Sequence, residues 1–216
     1  MELTGTVNGG KPMNEKFFAL PKEKQQAIMN AGYRVFSQNS YKKSPVSEIA
    51  AEAGISKSLL FHYFHNKLEL YQFLWDQSGR LTLQYLQATG CYEQTDLFEA
   101  MLRGLRAKVR IMQRYPNLGA FVLRAYYEND ETVKKLIHES SKKYIQPSAT
   151  RFLSRLDPSA FVPELDLRMM YREMYWACEG YLWEKLQTGG LNAETMEEDF
   201  LEMIDFWKKI YLKREG

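Results

Sequence analysis

Residues 44–67, SPVSEIAAEAGISKSLLFHYFHNK, decide the fold of this chain. Their pattern predicts two short helices around a glycine turn, followed by the start of a third helix. Ser44 is a suitable cap for the first helix, and Gly54 can adopt the positive φ that ends it. Ser56 is positioned to cap the second helix, predicted at about 57–63, by accepting a backbone N–H from Ser58 or Leu59. The stretch therefore predicts a compact helical corner.

The same corner continues into a long third helix. Asn66, with Glu69 three residues later, predicts its cap, and Ile55 is spaced to pack on Leu60 across the second helix. Two short helices joined by a glycine turn form a helix-turn-helix, whose second helix can enter a DNA major groove. A small helical corner with no DNA-binding role is the alternative.

This stretch resembles the DNA-binding domain of TetR/AcrR-family transcriptional regulators, over about residues 20–75. The matching positions are Ile49-Ala50, Ala53-Gly54, Ser56-Lys57, Leu60-Phe61, Tyr63-Phe64, Lys67 and Leu70. Phe61 departs from the family, which usually has a tyrosine there, so a phosphate-binding hydroxyl is missing. Ser58 and Leu59 stand where the family often has glycine and threonine. Both departures bear on which bases are read.

The resemblance implies a set of DNA contacts. The expected DNA-binding residues are Lys43, Ser47, Ser56, Lys57, Ser58, Leu59, Phe61, His62, Tyr63 and Lys67. Among them we expect Ser47, Tyr63 and Lys67 mainly to hold phosphate. The base-facing residues are expected to be Lys57, Ser58, Leu59 and His62, because a lysine can reach guanine O6/N7 and Leu59 a thymine methyl. A solvated turn is the alternative for the loop that contains Lys43.

Composition limits the class of protein. The 216 residues are 45% hydrophobic and 26% charged, which suits one large or two modest globular domains. The sequence contains no run of about 18 apolar residues and no apolar signal peptide, so we expect no membrane partner. The two cysteines are too few for a disulfide framework and fit a reducing cytoplasm, although a redox pair is the alternative.

Charge is unevenly distributed along the chain. Residues 14–75 contain eight Lys/Arg and five Asp/Glu, a net charge of +3, whereas the whole chain carries +2. A basic amino-terminal unit on a near-neutral body favours a nucleic-acid reader joined to another domain. An ordinary solvated face would give the same excess.

The helical periodicity predicts an all-α protein with two domains and a leader. Residues 1–13 are expected to be a flexible leader, because the phosphate-loop-like GTVNGGKP has Pro12 where a Ser or Thr is needed. We expect a three-helix DNA-binding domain at 14–66, with the helix-turn-helix at about 44–64. A helical ligand-binding and dimerisation domain should span 67–216. Helices are expected at about 21–38, 67–87, 96–114, 118–127, 131–155 with a kink at Pro147, 164–187 and 192–213.

Catalytic and metal-binding motifs are missing from the sequence. It has three histidines, and His62 and His65 alone do not complete a metal site. Glu-x-x-His, Gly-x-Ser-x-Gly and His-Glu-x-x-His do not occur. We therefore expect no enzyme activity, no catalytic residue, no metal and no cofactor.

The resemblance also implies a small-molecule pocket and a dimer interface in the second domain. An apolar or aromatic effector would contact large side chains, although plain core is the alternative for each: Trp75, Tyr85, Met101, Met112, Phe121, Tyr126, Tyr144, Tyr175 and Trp176. The last two helices are apolar around much of their girth and must be buried on several sides. The expected dimer residues, which would also suit burial inside one bundle, are Met174, Cys178, Tyr181, Leu182, Phe200, Ile204, Trp207 and Tyr211.

Together these features predict a homodimer that binds a near-palindromic operator in double-stranded DNA, as a ligand-released repressor. The rival class is a helical small-molecule-binding or enzyme bundle that does not bind DNA. Salt separates the two, because DNA affinity falls steeply as salt rises.

Overall fold

The computed structural model describes residues 14–141 and 153–213, and the regular secondary structure in these ranges is helical. The helices are α1 Glu15–Phe18, α2 Lys22–Gln38, α3 Val46–Glu52, α4 Lys57–Tyr63, α5 Lys67–Ala88, α6 Leu97–Arg114, α7 Leu118–Tyr126, α8 Glu131–Ser141, α9 Leu167–Thr188 and α10 Ala193–Tyr211. Short 3₁₀ turns lie at Cys91–Glu93 and Pro158–Ala160. Extended pairing in these ranges is limited to an isolated bridge between Phe161 and Leu212. The all-α prediction is confirmed.

The glycine turn between α3 and α4 has the predicted local chemistry. Gly54 has a φ of 67°, and its N–H donates to the Ala51 carbonyl at 3.1 Å. The Ile55 N–H donates to the Ala50 carbonyl at 3.0 Å, which completes a left-handed helix terminus. Ser56 then caps α4 by accepting the Leu59 N–H at 3.1 Å. These short-range bonds set the angle between the two helices.

Ser44 does not cap α3 as expected. Its side chain is buried, and its hydroxyl donates to the carbonyls of Ser40 at 3.0 Å and Val35 at 3.4 Å. Helix α3 starts at Val46, with Pro45 at the cap position and no side-chain cap. The hydroxyl instead contacts the Val35 carbonyl in the last turn of α2 and the Ser40 carbonyl, which also accepts the backbone N–H groups of Lys43 and Ser44.

The one-turn helix α1 was not predicted. Its Phe17 is fully buried, with ring centroids 5.3 Å from Phe64 and 4.8 Å from Phe73. The Asn14 side-chain amide is oriented with its nitrogen toward α4 and α5, where it donates to the Tyr63 carbonyl at 2.9 Å and to Glu69 Oε1 at 2.8 Å. Helix α1 therefore supports α4 and α5 from behind.

The start of α5 follows the capping prediction, except that the Glu69 side chain bonds the backbone of His65 and not that of Asn66. Asn66 Oδ1 accepts the Glu69 N–H at 2.9 Å, as expected. The Glu69 carboxylate accepts the backbone N–H of His65 at 3.1 Å. From this cap α5 runs unbroken to Ala88, so it contacts the helix-turn-helix at one end and the second half of the chain at the other.

The core does not divide at residue 66. Helix α2 packs along α7, and Phe121 on α7 is fully buried. The ring centroid of Phe121 lies 5.3 Å from that of Tyr33, 6.2 Å from Phe36 and 5.1 Å from Tyr71. Thus the helix-turn-helix and the α7–α8 region share one apolar core.

The second half of the chain is a bundle in which α6 packs against both α5 and α10. Helices α9 and α10 run antiparallel, joined by the Tyr181 hydroxyl to Asp199 at 2.8 Å and the Tyr211 hydroxyl to Glu173 at 3.1 Å. Asp166 caps α9, which starts three residues later than expected, at Leu167. The predicted kink at Pro147 and the leader 1–13 lie outside the described residues.

The glycine turn gives a stability prediction. Gly54→Ala should lower the free energy of unfolding by roughly 1 kcal/mol, because an alanine is strained at positive φ. The measurement is urea unfolding followed by circular dichroism. Gly119 on α7 is the matched control: a Cβ there meets nothing within 4 Å and its φ is not positive, so Gly119→Ala should be neutral or slightly stabilising. Equal losses in both variants would contradict the role of the turn.

Candidate nucleic-acid interface

Helix α4 presents one exposed face and one buried face. Lys57, Ser58 and His62 are exposed, and Leu59 retains 37% of its surface. On the other side Leu60 is fully buried. The four residues expected to face bases therefore lie together at the surface, on a short helix that follows a tight turn, as a major-groove reading helix does.

Two aromatic contacts orient side chains on this face. The Lys57 Nζ lies 5.8 Å from the centroid of the Phe61 ring, and the His62 ring lies 5.9 Å from that of Tyr63. A ring that stacks under a lysine limits the rotamers of the lysine without neutralising its charge. Phe61, which departs from the family pattern, thus supports Lys57.

Lys67 and Tyr63 differ from their expected roles as phosphate ligands. Tyr63 is buried, with 9% of its surface exposed, and packs in the core. The Lys67 ammonium lies 4.7 Å from the Tyr41 ring and donates to the Lys42 carbonyl at 3.3 Å. Burial lowers the pKa of Lys67, and the carboxylates of Asp130 and Glu128 act in the opposite direction. Lys67 therefore holds the loop at 39–45 in place.

The remaining expected contacts lie in three settings. Lys43 is exposed on that loop, and Ser47 is exposed in the first turn of α3. Ser56 is exposed, but its hydroxyl accepts the capping hydrogen bond. Lys43 and Ser47 are thus the expected phosphate contacts with open access to solvent.

Acidic groups near this surface are paired. Arg34 on α2 contacts both Glu48 and Glu52 on α3, with the Glu48 pair at 3.2 Å. These pairs fix α3 against α2 and lessen the repulsion that free carboxylates would exert on DNA phosphates. The local field stays favourable to an anionic partner.

A carboxylate from the second half of the chain holds the loop at 39–45. Glu128 is 8% exposed, and its carboxylate accepts backbone N–H groups from Tyr41 at 2.6 Å, Asn129 at 2.9 Å and Asp130 at 3.1 Å. Lys42 forms an ion pair with Asp130 at 3.3 Å. Helix α7 and the turn after it therefore position the loop that presents Lys43.

A separate cavity of about 290 Å³ lies between the end of α5, the turn at Cys91–Glu93, and helices α6, α9 and α10. Of the expected pocket residues, Met101 and Tyr175 line it. Tyr85 lines a different cavity. Tyr144 lies outside the described residues.

The other expected pocket residues lie elsewhere. Trp75, Met112 and Phe121 are buried in the core, whereas Tyr126 and Trp176 are exposed at the surface by 46% and 55%. Helical periodicity indicates that such side chains are large and apolar, but not which neighbour each one meets. The lining of the cavity therefore differs from the expected pocket.

The expected dimer residues pack within the protomer. Met174, Phe200, Ile204 and Trp207 are each at most 6% exposed, because they face α6 and the neighbouring clusters. The partly buried members of the set pack against the same clusters: Cys178, Tyr181, Leu182 and Tyr211. A dimer formed through these two helices would therefore have to use other side chains of α9 and α10.

Residues 14–141 and 153–213 contain no group of three or more His, Cys, Asp or Glu side chains arranged to hold a metal ion. No helix in the same part of the chain is long and apolar enough to cross a membrane.

Residues 28–73 match the family described as bacterial regulatory proteins, tetR family. The helix-turn-helix segment of this chain is therefore similar to that of the tetR family. Over 68 residues it is 31% identical to the HTH-type transcriptional regulator AcrR of Shigella flexneri, a match that covers 30% of this chain and 32% of that relative. The matched part of this curated relative is thus about a third of its length. The matching family is described as one of regulatory proteins, and the matching relative as a transcriptional regulator.

Solved structures extend the likeness of fold beyond the TetR helix-turn-helix. A TetR family transcriptional regulator from Chloroflexus aurantiacus is 22% identical, with a TM-score of 0.61 over 93% of this chain and 98% of that one. FadR, a fatty acid degradation regulator from Bacillus halodurans, is 17% identical, with a TM-score of 0.63 over 86% of this chain and 95% of that one. Both likenesses include the helical second half.

Sequence analysis missed Glu128 and Lys108. The role of Glu128 cannot be recognised from neighbouring residues. Its partner Tyr41 is 87 residues away in the sequence, and its partner Asn129 lies in an irregular turn. Lys108 lines the cavity of about 290 Å³ together with Met101 and Leu105. These residues are spaced four and three apart, which places them on one face of α6 and could have been recognised in the sequence. A lysine within an apolar stripe of a helix is the feature that could have predicted Lys108 in the cavity wall.

The Glu128 contacts give a second prediction. Glu128→Gln should cost about 1–3 kcal/mol of stability, because one amide oxygen cannot accept all three N–H groups and its NH₂ faces donors. Amide hydrogen exchange at Tyr41 should become faster as well. Glu131→Gln, an exposed neighbour at the start of α8, is the control and should change neither quantity. Unchanged exchange at Tyr41 in Glu128→Gln would rule out this clamp.

Proposed function

We propose that this protein is a dimeric, sequence-specific DNA-binding transcriptional regulator, which a small molecule releases from a near-palindromic operator. The exposed face of α4 carries this proposal: a cation, two polar groups and one apolar group project from a helix held by a fixed turn. Each protomer would place α4 in a major groove, with half-sites about one helical turn or a small multiple apart. We expect it to act in the cytoplasm.

The side chains of α4 support a division between base and phosphate contacts. Lys57, supported by Phe61, is placed to reach guanine O6/N7, and Leu59 to contact a thymine methyl. Ser58 and His62 complete the proposed reading face. Lys43 and Ser47 are the proposed phosphate contacts. Ser56, Tyr63 and Lys67 act indirectly, by capping or supporting the elements that touch DNA.

A small-molecule effector is proposed to bind the cavity beside α6 and α9. LfrR of Mycobacterium smegmatis, a TetR-like regulator, was solved with proflavine; it is 17% identical, with a TM-score of 0.54 over 85% of this chain and 96% of that one. Here α5 runs from Lys67, next to the reading unit, to Leu86 in the cavity wall. A ligand that favours one position of α5 could therefore alter the spacing of the two α4 helices.

The dimer is proposed to form through the outer faces of α9 and α10. Met169, Trp176 and Trp183 recur every seven residues on α9 and are 49%, 55% and 37% exposed. On α10, Phe206 and Ile210 are exposed by 58% and 45%. A row of large apolar side chains at the surface is typical of an interface, and tryptophan is enriched at the centre of such interfaces.

The proposal is tested by selecting bound sequences from a random DNA duplex pool and then titrating the selected duplex at several salt concentrations. A reader of this kind should recover a two-fold symmetric sequence and show affinity that falls linearly in a double-logarithmic plot against salt. If no motif is recovered and binding does not depend on salt, the proposal is wrong, and the rival class of a helical bundle that does not bind DNA is favoured.

Two sets of variants separate base reading from phosphate contact. Lys57→Ala and His62→Ala should each cost roughly 1–3 kcal/mol on the selected site and relax specificity at one or two base pairs. Lys43→Ala should weaken all duplexes alike and reduce the salt slope by about one. Both effects are read from parallel titrations of the selected duplex and its single-base variants. An unchanged specificity profile for both α4 variants would remove this helix from the groove.

The outer face of α9 gives a prediction on assembly. Trp176→Asp should shift the protein from dimer to monomer in sedimentation equilibrium without unfolding it, because Trp176 is 55% exposed in the protomer. Trp176→Phe keeps an apolar ring at the same position and should remain dimeric. A Trp176→Asp protein that sediments as the wild-type dimer would place the interface on another surface.

A further inference from the structure

The cavity between α6, α9 and α10 has a largely apolar wall. Its principal apolar lining residues are Leu97, Met101, Leu105, Met174, Phe200 and Ile204. They come from three helices that the apolar clusters hold together. At about 290 Å³, the cavity lies at the low end of the usual size of ligand sites. If each heavy atom takes about the 30 Å³ of a liquid water, the space suits roughly ten non-hydrogen atoms.

Lys108 is the exception in this wall. It is the single charged residue among those lining the cavity, and no carboxylate lines it. The ion pairs found in residues 14–141 and 153–213 do not include Lys108. By contrast, its neighbour on α6, Arg103, is paired with Glu99 at 2.7 Å. Lys108 is an exposed residue at the rim of an apolar cavity, so its unpaired ammonium is available to a ligand that brings the counter-ion.

The positive charge of Lys108 reaches both sides of the cavity. Burial raises the pKa of the Cys91 thiol and of the Cys178 thiol, and in each case the Lys108 ammonium acts in the opposite direction, whereas Glu93 adds to the rise at Cys91 and Glu173 to the rise at Cys178. Cys91 belongs to the turn after α5, whereas Cys178 is on α9. Lys108 lines the same cavity as both cysteines, so its charge can act on a molecule held between the two walls.

We propose that this cavity binds a small amphipathic monoanion, an aliphatic or aromatic carboxylate whose tail fills the apolar space and whose headgroup pairs with Lys108. This names the class of effector for the proposed regulator and so rests on that proposal. A charge-assisted hydrogen bond to an ammonium is shorter and stronger than one between neutral groups. An ammonium ligand of the same shape would meet a like charge and no carboxylate.

A second cavity provides an internal comparison. It measures about 460 Å³ and lies between α2, α5 and α6, with Lys22, Arg110 and Arg114 among its lining residues. Its positive side chains would also attract an anion. Several glutamines interrupt its apolar surface, however, so it suits an apolar tail less well. Met29 lines this second cavity, whereas Met101 and Met174 line the first. The methionine methyl groups therefore report which cavity is occupied.

The test uses octanoate, octanamide and octylamine, three probes with one tail and different headgroup charges. Each is titrated into the DNA-free full-length protein at pH 7.5 by calorimetry and by NMR of ¹³C-methyl-labelled methionines. Octanoate should bind about ten-fold more tightly than octanamide, with octylamine weakest, and should shift the Met101 and Met174 signals but not Met29.

Substitutions assign the headgroup contact. Lys108→Met should abolish the advantage of octanoate over octanamide, and Lys108→Glu should favour octylamine over octanoate. Arg106→Met removes one positive charge from an exposed position on the same helix and should leave the order of the probes unchanged. Equal affinities for the three probes, a response at Met29 alone, or an octanoate preference that survives Lys108→Met would each overturn the inference.

A parallel DNA titration separates this inference from the proposed function. Octanoate that binds with Lys108 dependence but leaves DNA affinity unchanged would support the carboxylate site and contradict ligand release. A protein that binds its operator but shows no octanoate binding would overturn the carboxylate site and leave DNA reading intact.

Discussion

The packing of Phe121 against α2 and α5 is the contact on which the arrangement of the molecule depends. Its ring fills the space between Tyr33, Phe36 and Tyr71, all from the helices that carry the helix-turn-helix. Burying a phenylalanine fully stabilises a fold by about 1.5–3 kcal/mol, and the Tyr71 ring adds an edge-to-face contact while those of Tyr33 and Phe36 are tilted. Because this core crosses from the helix-turn-helix into the second half of the chain, the helix-turn-helix cannot rotate freely against the bundle.

A shared core gives a ligand two routes to the reading unit. One is α5, which links the cavity wall to the base of α4. The other is α7, whose following turn carries Glu128 and holds the backbone of Tyr41. The routes meet at the loop of 39–45, where Lys67 donates to Lys42. A ligand that moved α5 alone would strain the Glu128 contacts, so the proposed release would require both elements to shift together.

Sequence analysis succeeded where the determining chemistry is local. The turn at Gly54, the cap at Ser56 and the start of α5 each depend on groups within a few residues, so their residue types predict their geometry. Roles set by distant partners could not be predicted. Lys67 has the same sequence signal as a phosphate ligand or as a donor to the Lys42 carbonyl, and only the fold brings that carbonyl to it. For the same reason, the sequence predicted Phe121 in a ligand pocket, whereas it lies in the core.

Helix α9 shows this limit and its functional consequence most clearly. Met174 and Trp176 are two residues apart and equally apolar in the sequence, yet Met174 is 2% exposed and Trp176 55%. Two residues rotate a helix by about 200°, so one side chain faces the cavity and the other faces outward. The proposed ligand site and the proposed dimer surface are therefore opposite faces of one helix. Since a packed helix moves as a unit, a ligand pressing on Met174 would displace Trp176 as well, which links occupancy of the cavity to the geometry of the dimer.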